Sequence, residues 1–114
     1  MATLEIVWLQ SGGCGGCTMS LLCADARDLF AQLAAAGLSI GWHPALSEAS
    51  GPEAIEMLDD YASGRRELGV LCVEGAMLRG PRGTGGFHRL AGTGKAMVEW
   101  VSALAARARY TVAI

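Results

Sequence analysis

The chain carries four cysteines, and two of them stand three positions apart inside Gly12-Gly13-Cys14-Gly15-Gly16-Cys17-Thr18. A Cys-x2-Cys turn brings two thiolates to one side of a loop, and flanking glycines let backbone N–H groups come close to whatever the sulfurs hold. Such a turn suits part of an iron-sulfur cluster site, a redox dithiol or half of a zinc site, and it also describes two unpaired thiols. The spacing alone leaves these readings open, because it supplies two ligands where a cluster or structural zinc takes four. Gly13, Gly16 and Thr18 belong to the same candidate cofactor-binding turn as Cys14 and Cys17.

The remaining reactive side chains are weaker candidates. Cys23 follows Cys17 by six positions and falls on a helical pattern, where a free cysteine is usually a small buried hydrophobe. Cys72 sits in an aliphatic run and reads as core. His43 and His88 each stand alone, without a second ligand at helical or turn spacing, and read as surface or packing histidines. Gly92-Thr93-Gly94-Lys95 has a superficial likeness to a phosphate loop, but Arg89 occupies the required first glycine and Ala96 replaces the Ser or Thr.

The elements that must position the Cys-x2-Cys turn alternate between strand and helix. Leu4 to Leu9 is a short apolar, β-branched run broken by Ser11-Gly12-Gly13, so it predicts a strand that ends in the cysteine turn. Leu22, Ala26, Leu29, Phe30 and Leu33 recur at helical spacing and predict one helix closed by Gly37. Leu38 to Trp42 predicts a second strand. Pro52 and Glu53 open a helix with Ile55, Leu58 and Tyr61 on one face, stopped by Gly64. Leu68 to Val73, nearly all aliphatic, predicts a central strand covered on both faces and ended by Glu74-Gly75. Gly75 to Gly94 has no sustained period and predicts a long functional loop. Met97, Trp100, Val101, Leu104 and Ala108 predict a last helix, and Tyr110 to Ile114 a fourth strand.

Strands alternating with helices imply an α/β fold with a parallel sheet and right-handed crossovers, and the short connections suit a flavodoxin-like, doubly wound order of 2-1-3-4. Ligands of such sheets bind outside the carboxyl ends of the strands, which is where the cysteine turn and Glu74 both fall. Ending on an apolar strand with no helix to follow, the doubly wound sheet is expected to be incomplete, and residues 1–114 to be a fragment. No repeat or internal linker interrupts it.

With 52% hydrophobic and 18% charged residues, the chain has enough apolar surface for one core without disulfides. A formal charge of −2 and the lack of any lysine or arginine cluster beyond Arg65-Arg66 and the scattered Arg107 and Arg109 argue against a nucleic-acid partner. No apolar run approaches the ~18 residues of a transmembrane segment. The first residues show neither a basic region nor an apolar export core, so a cytoplasmic location is expected. There, cysteines more often serve metal or redox chemistry than disulfides.

The stretch Trp8-Leu9-Gln10-Ser11-Gly12-Gly13-Cys14-Gly15-Gly16-Cys17-Thr18-Met19-Ser20-Leu21-Leu22 resembles the amino-terminal cluster motif of nickel-iron hydrogenase small subunits. Leu71-Cys72-Val73-Glu74-Gly75-Ala76 resembles that family's Val-Glu-Gly segment, and the likeness extends through Trp42-His43-Pro44 and Gly86-Phe87-His88, nearest to the sensory or oxygen-tolerant branches without export signals. The resemblance implies an electron-transfer subunit of an H2:acceptor oxidoreductase, in which Cys14 and Cys17 are two ligands of the proximal 4Fe-4S cluster. The nickel-iron centre would lie on a large subunit, and electrons would pass between it and an acceptor protein or cofactor.

The family's other two proximal ligands, a Gly-x-Cys turn and a Gly-Cys-Pro segment, would fall after Ile114. Residues 1–114 are then the amino-terminal part of the flavodoxin-like proximal-cluster domain, without the domain for the medial and distal clusters. Glu74 would orient the cluster loop or relay protons at the subunit interface; a plain strand-end carboxylate is the alternative. Some relatives use an aspartate for one thiolate, but with Cys17 present, Asp25 reads as a solvated helix residue. Two other functions compete: a stand-alone thiol-disulfide oxidoreductase, disfavoured by glycines where a formed helix is needed, and a metal-free flavodoxin-like regulatory module.

Overall fold

The first apolar run forms strand β1 (Leu4–Gln10), in a computed structural model that describes residues 3–24, 28–83, 88–90 and 93–114. Strands β2 (Leu38–Trp42), β3 (Val70–Glu74) and β4 (Tyr110–Ala113) join it in one parallel sheet of order β2-β1-β3-β4. This is the expected α/β architecture and strand order. β3 lies between β1 and β4, as its unbroken aliphatic character requires.

Side chains alternate across the sheet, and the two faces bury different amounts. Val7, Leu9, Leu71 and Val73 point to the larger core, where they meet Leu58 and Tyr61 of helix α3 (Gly51–Ser63) and Met97, Trp100 and Leu104 of helix α4 (Met97–Arg107). Ile6, Trp8 and Cys72 point the other way and are covered by Leu21 and Leu33. Cys72 is therefore core, as its aliphatic neighbours indicate, and burial pushes its thiol pKa upward. Pro52 starts α3, and Gly64 ends it at φ 82°, a conformation that costs a glycine little.

The single helix expected between the cysteine turn and Gly37 is two helices. Helix α1 spans Gly16–Leu22, and helix α2 spans Leu29–Ala35. Asp28 starts α2 by accepting the Ala31 N–H at 3.2 Å, an N-cap that the apolar period overlooked. Leu22 and Phe30, expected on the buried face, are 42% and 57% exposed. Ala26 and Asp25 lie outside the described residues, as do Gly86, Phe87 and Gly92. The long loop is partly ordered by an antiparallel bridge from Ala76 to Gly12, a short helical turn at Pro81–Gly83 and a second bridge from Arg89 to Ala96. Every residue of β4 is exposed.

At the amino ends of the strands, Tyr61 is fully buried and donates its hydroxyl to Glu5 at 2.7 Å. Arg66 pairs both oxygens of the same carboxylate at 2.9 Å and lies 4.9 Å from the Tyr61 ring. The Arg66 guanidinium, helped by the Tyr61 hydroxyl, holds the Glu5 pKa below its usual value against the opposing effect of burial. This network joins α3 to β1. Tyr61→Phe is expected to lower stability by about 1.5 kcal/mol, the lower end for a hydrogen bond to a charged group because Arg66 still pairs the carboxylate. Urea unfolding should show a lower midpoint with an unchanged slope.

Candidate functional site at the carboxyl edge of the sheet

Two loops leave neighbouring strands at this edge and are stitched together by backbone hydrogen bonds. After β1, the Ser11 N–H donates to the Glu74 carbonyl at 2.7 Å, and Gly12 and Ala76 exchange a pair of bonds at 2.8 and 3.0 Å. The Ser11 hydroxyl adds a bond to the Ala76 carbonyl at 2.8 Å. Contact this close depends on Gly75. Its φ is 91°, and a Cβ there would lie 2.8 Å from the carbonyl carbon of Gly12 and 2.9 Å from the Gly13 nitrogen. The N–H groups of Gly12 and Gly13 are occupied by the Ala76 and Ser11 carbonyls, so these two amides serve the loop itself.

Cys14 and Cys17 are both exposed free thiols. Gly15 takes the left-handed conformation at φ 77° and caps α1, so Cys14 precedes the helix and Cys17 lies in its first turn. A Cβ on Gly16 would sit 3.1 Å from the Cys14 sulfur, so the missing side chain leaves room for that sulfur over the backbone. The helix is therefore formed at Cys17, contrary to the expectation of a loop too glycine-rich to make one.

Thr18 faces inward and is 2% exposed. Its hydroxyl donates to Glu74 Oε1 at 2.6 Å, accepts the Gln10 side-chain amide at 3.0 Å and stands 3.4 Å from His43 Nε2. Gln10 and Glu74 are the last residues of β1 and β3, and His43 directly follows β2. Three adjacent strand ends thus converge on one hydroxyl next to Cys17. Glu74, the last residue of β3, is 3% exposed and is held by the helix that carries Cys17.

Among the residues named from sequence, Cys14, Cys17, Gly13, Gly16, Thr18 and Glu74 come together. His43 and Gln10 were missed. His43 is the packing histidine of the two alternatives, fully buried; its position one residue beyond a strand, on the ligand-binding edge, was the available signal for a role at the site. His88 approaches the loop from outside, with Nδ1 3.5 Å from the Ser11 hydroxyl. Cys23 is exposed at the end of α1 and is not the buried hydrophobe expected. Thr93 turns its hydroxyl onto the Leu90 carbonyl at 2.8 Å, and the Lys95 ammonium lies 4.6 Å from the Trp100 ring, a tight turn and not a phosphate cradle. No group of three or more His, Cys, Asp or Glu that could hold a metal occurs among the described residues, so the described part of the chain offers the cysteine pair as a partial ligand set.

Two outcomes are expected from this geometry. Gly75→Ala combines a left-handed alanine with a backbone clash and should cost on the order of 2 kcal/mol, seen as a melting temperature lower by roughly 8 °C. Burial holds the His43 pKa below its ordinary 6.5 against the opposing effect of the Glu74 charge. Because the unfolded chain then takes up the proton first, stability is intact above about pH 6.5 and falls below it, and His43→Gln should flatten that dependence in urea titrations between about pH 7 and pH 5.

The fold is shared with known proteins. A chain of the NiFeSe hydrogenase of Desulfomicrobium baculatum, in its H2-activated form, superposes with a TM-score of 0.76 and 25% identity over 100% of this chain and 43% of that one. A reduced, active form of the Ni-Fe-Se hydrogenase from the same organism gives 0.77 and 26% over 98% and 42%. The recombinant NiFeSe hydrogenase of Desulfovibrio vulgaris Hildenborough shares the fold, with a TM-score of 0.80 and 23% identity over 100% and 40%. The chain thus spans less than half the length of these chains. No curated protein matches the sequence. Residues 14–114 match the family of the NADH ubiquinone oxidoreductase 20 kDa subunit, and with nearly the whole chain inside that match, the protein belongs to this family and carries the amino-terminal fold of a nickel-iron hydrogenase small subunit.

Proposed function

We propose that this chain is the cluster-holding part of an electron-transfer subunit of a nickel-iron hydrogenase, with Cys14 and Cys17 as two thiolate ligands of a 4Fe-4S cluster. The observation that carries the reading is the exposure of both cysteines on a turn whose backbone is fixed to two strand ends. The chemistry of the donor set fits: thiolates are the cluster ligands of choice, and Gly16 leaves space beside the Cys14 sulfur. The remaining ligands would come from outside the described residues. When bound, the cluster would carry electrons between a partner's metal centre and an acceptor.

The chain's own residues have separable tasks. Cys14 and Cys17 supply thiolates, Gly13 and Gly16 keep side chains out of the way, and Thr18 and Glu74 hold the first turn of α1 to the sheet. Met19, Leu22 and Leu78 lie near the turn and are 58%, 42% and 44% exposed, an apolar surface suited to a large hydrogenase subunit. Fixing the thiolates on a rigid sheet edge keeps a cluster at constant distance from that partner.

A second reading has one observation in its favour. Because α1 begins between Cys14 and Cys17, the pair also has the layout of a dithiol at a helix start, and reduction of insulin by the purified chain would support it.

Cys14→Ser and Cys17→Ser, in the subunit co-expressed anaerobically with its large partner, are each expected to abolish the cluster signal in electron paramagnetic resonance and to lower bound iron and sulfide. Unchanged iron and sulfide in either variant would overturn the assignment.

A further inference from the structure

His43 is a fully buried side chain that the cluster reading does not use. Its ring leans on Trp8, with centroids 5.1 Å apart, and its two nitrogens face different partners. Nδ1 accepts the Ala45 N–H at 3.0 Å, and a nitrogen that accepts a backbone N–H carries no proton itself. The proton of the neutral ring is therefore on Nε2, 3.4 Å from Thr18 Oγ1. His43 is in turn anchored by its own backbone, whose N–H donates to the Ser47 hydroxyl at 2.9 Å and whose carbonyl accepts the Ser47 N–H at 3.0 Å.

The consequence follows from counting protons. A threonine hydroxyl has one proton and two lone pairs. Gln10 and the His43 Nε2–H both donate to Thr18, at 3.0 and 3.4 Å, and fill the accepting side. The single proton is then committed to Glu74 Oε1 at 2.6 Å. We propose that His43 is a positioning residue for the Cys14–Cys17 turn: as its Nε2–H tautomer it directs the Thr18 hydroxyl onto Glu74 and so pins the first turn of α1, with Cys17, to the end of β3. Its meaning for a cluster rests on the proposed function, but the clamp itself is a property of this chain alone.

Removing the donor frees one Thr18 lone pair and lets the hydroxyl rotate, so the bond to Glu74 is made only part of the time. The segment that should respond is α1. The strands have their own ladder bonds and should not.

Nitrogen-15 NMR of the histidine rings in the full chain at neutral pH is expected to show His43 as the Nε2–H tautomer; an Nδ1–H tautomer or an imidazolium would overturn the proposal. His43→Gln retains a side-chain N–H donor, and His43→Leu does not. Amide exchange of α1 should rise about two- to tenfold in His43→Leu, the factor for one lost hydrogen bond, with β1 and β3 unchanged, and should return toward the native rate in His43→Gln. Equal α1 exchange in all three proteins, or no recovery with Gln, would overturn the donor role. If His43→Leu fails to fold, the tautomer and the exchange of His43→Gln still decide. In the assembled complex, His43→Leu is expected to shift the cluster's resonance signal and midpoint potential at unchanged iron content, and His43→Gln to restore both. A native complex without a cluster would overturn the proposed function and not the clamp, because tautomer and exchange are read without metal.

Discussion

A buried carboxyl group sets the terms for the whole carboxyl edge of this sheet. Glu74 ends the central strand at 3% exposure, and a polar group taken out of water is costly unless it finds hydrogen-bond partners. Thr18 provides one at 2.6 Å, and it can do so only if α1 begins where it does. The start of the helix, the left-handed Gly15 before it and the inward turn of Thr18 are thus conditions for satisfying Glu74. Cys17, the residue before Thr18, is exposed as a result of the same arrangement, and Cys14 is exposed ahead of the helix.

Rigidity and exposure usually oppose each other at a loop. Here the backbone is stitched by the bond pair between Gly12 and Ala76 and by the Ser11 contacts to Glu74 and Ala76, while the sulfurs stay accessible. Gly75 makes the compromise possible, because any side chain there would push the two loops apart. Packing on the larger core by α3 and α4 supplies stability far from the turn. Among the described residues, α1 and α2 cover a smaller cluster on the other face.

Most of the fold was legible because the strong signals were local and periodic. The aliphatic run ending at Glu74, the Pro52 and Gly64 boundaries and the Met97 to Leu104 stripe each specify an element without reference to the rest of the chain. The break between α1 and α2 was not, since the spacing of Leu22, Leu29, Phe30 and Leu33 fits one helix as well as two, and the Asp28 cap marks where the second begins. The cysteine turn and Glu74 were readable from motif and topology together. His43 was not, because its role depends on a proton held at Nε2 and on a hydroxyl contributed by a residue 25 positions away, and neither leaves a spacing pattern.

Strand register ties these observations together. Gln10 pairs with Glu74 and Trp8 with Cys72, and alternation puts all four on the α1 and α2 face, opposite Val7, Leu9, Leu71 and Val73. The polar cluster of Gln10, Thr18, Glu74 and His43 therefore lies at the strand ends beyond the smaller apolar cluster of Ile6, Trp8 and Cys72, with the Trp8–His43 ring contact joining the two. A slip of β1 by one residue would turn Gln10 toward α3 and leave Thr18 without its amide donor. The apolar alternation that positions the core also sets which side chains meet at its edge, so the site is specified by the pattern of β1 and β3 as much as by the cysteines it presents.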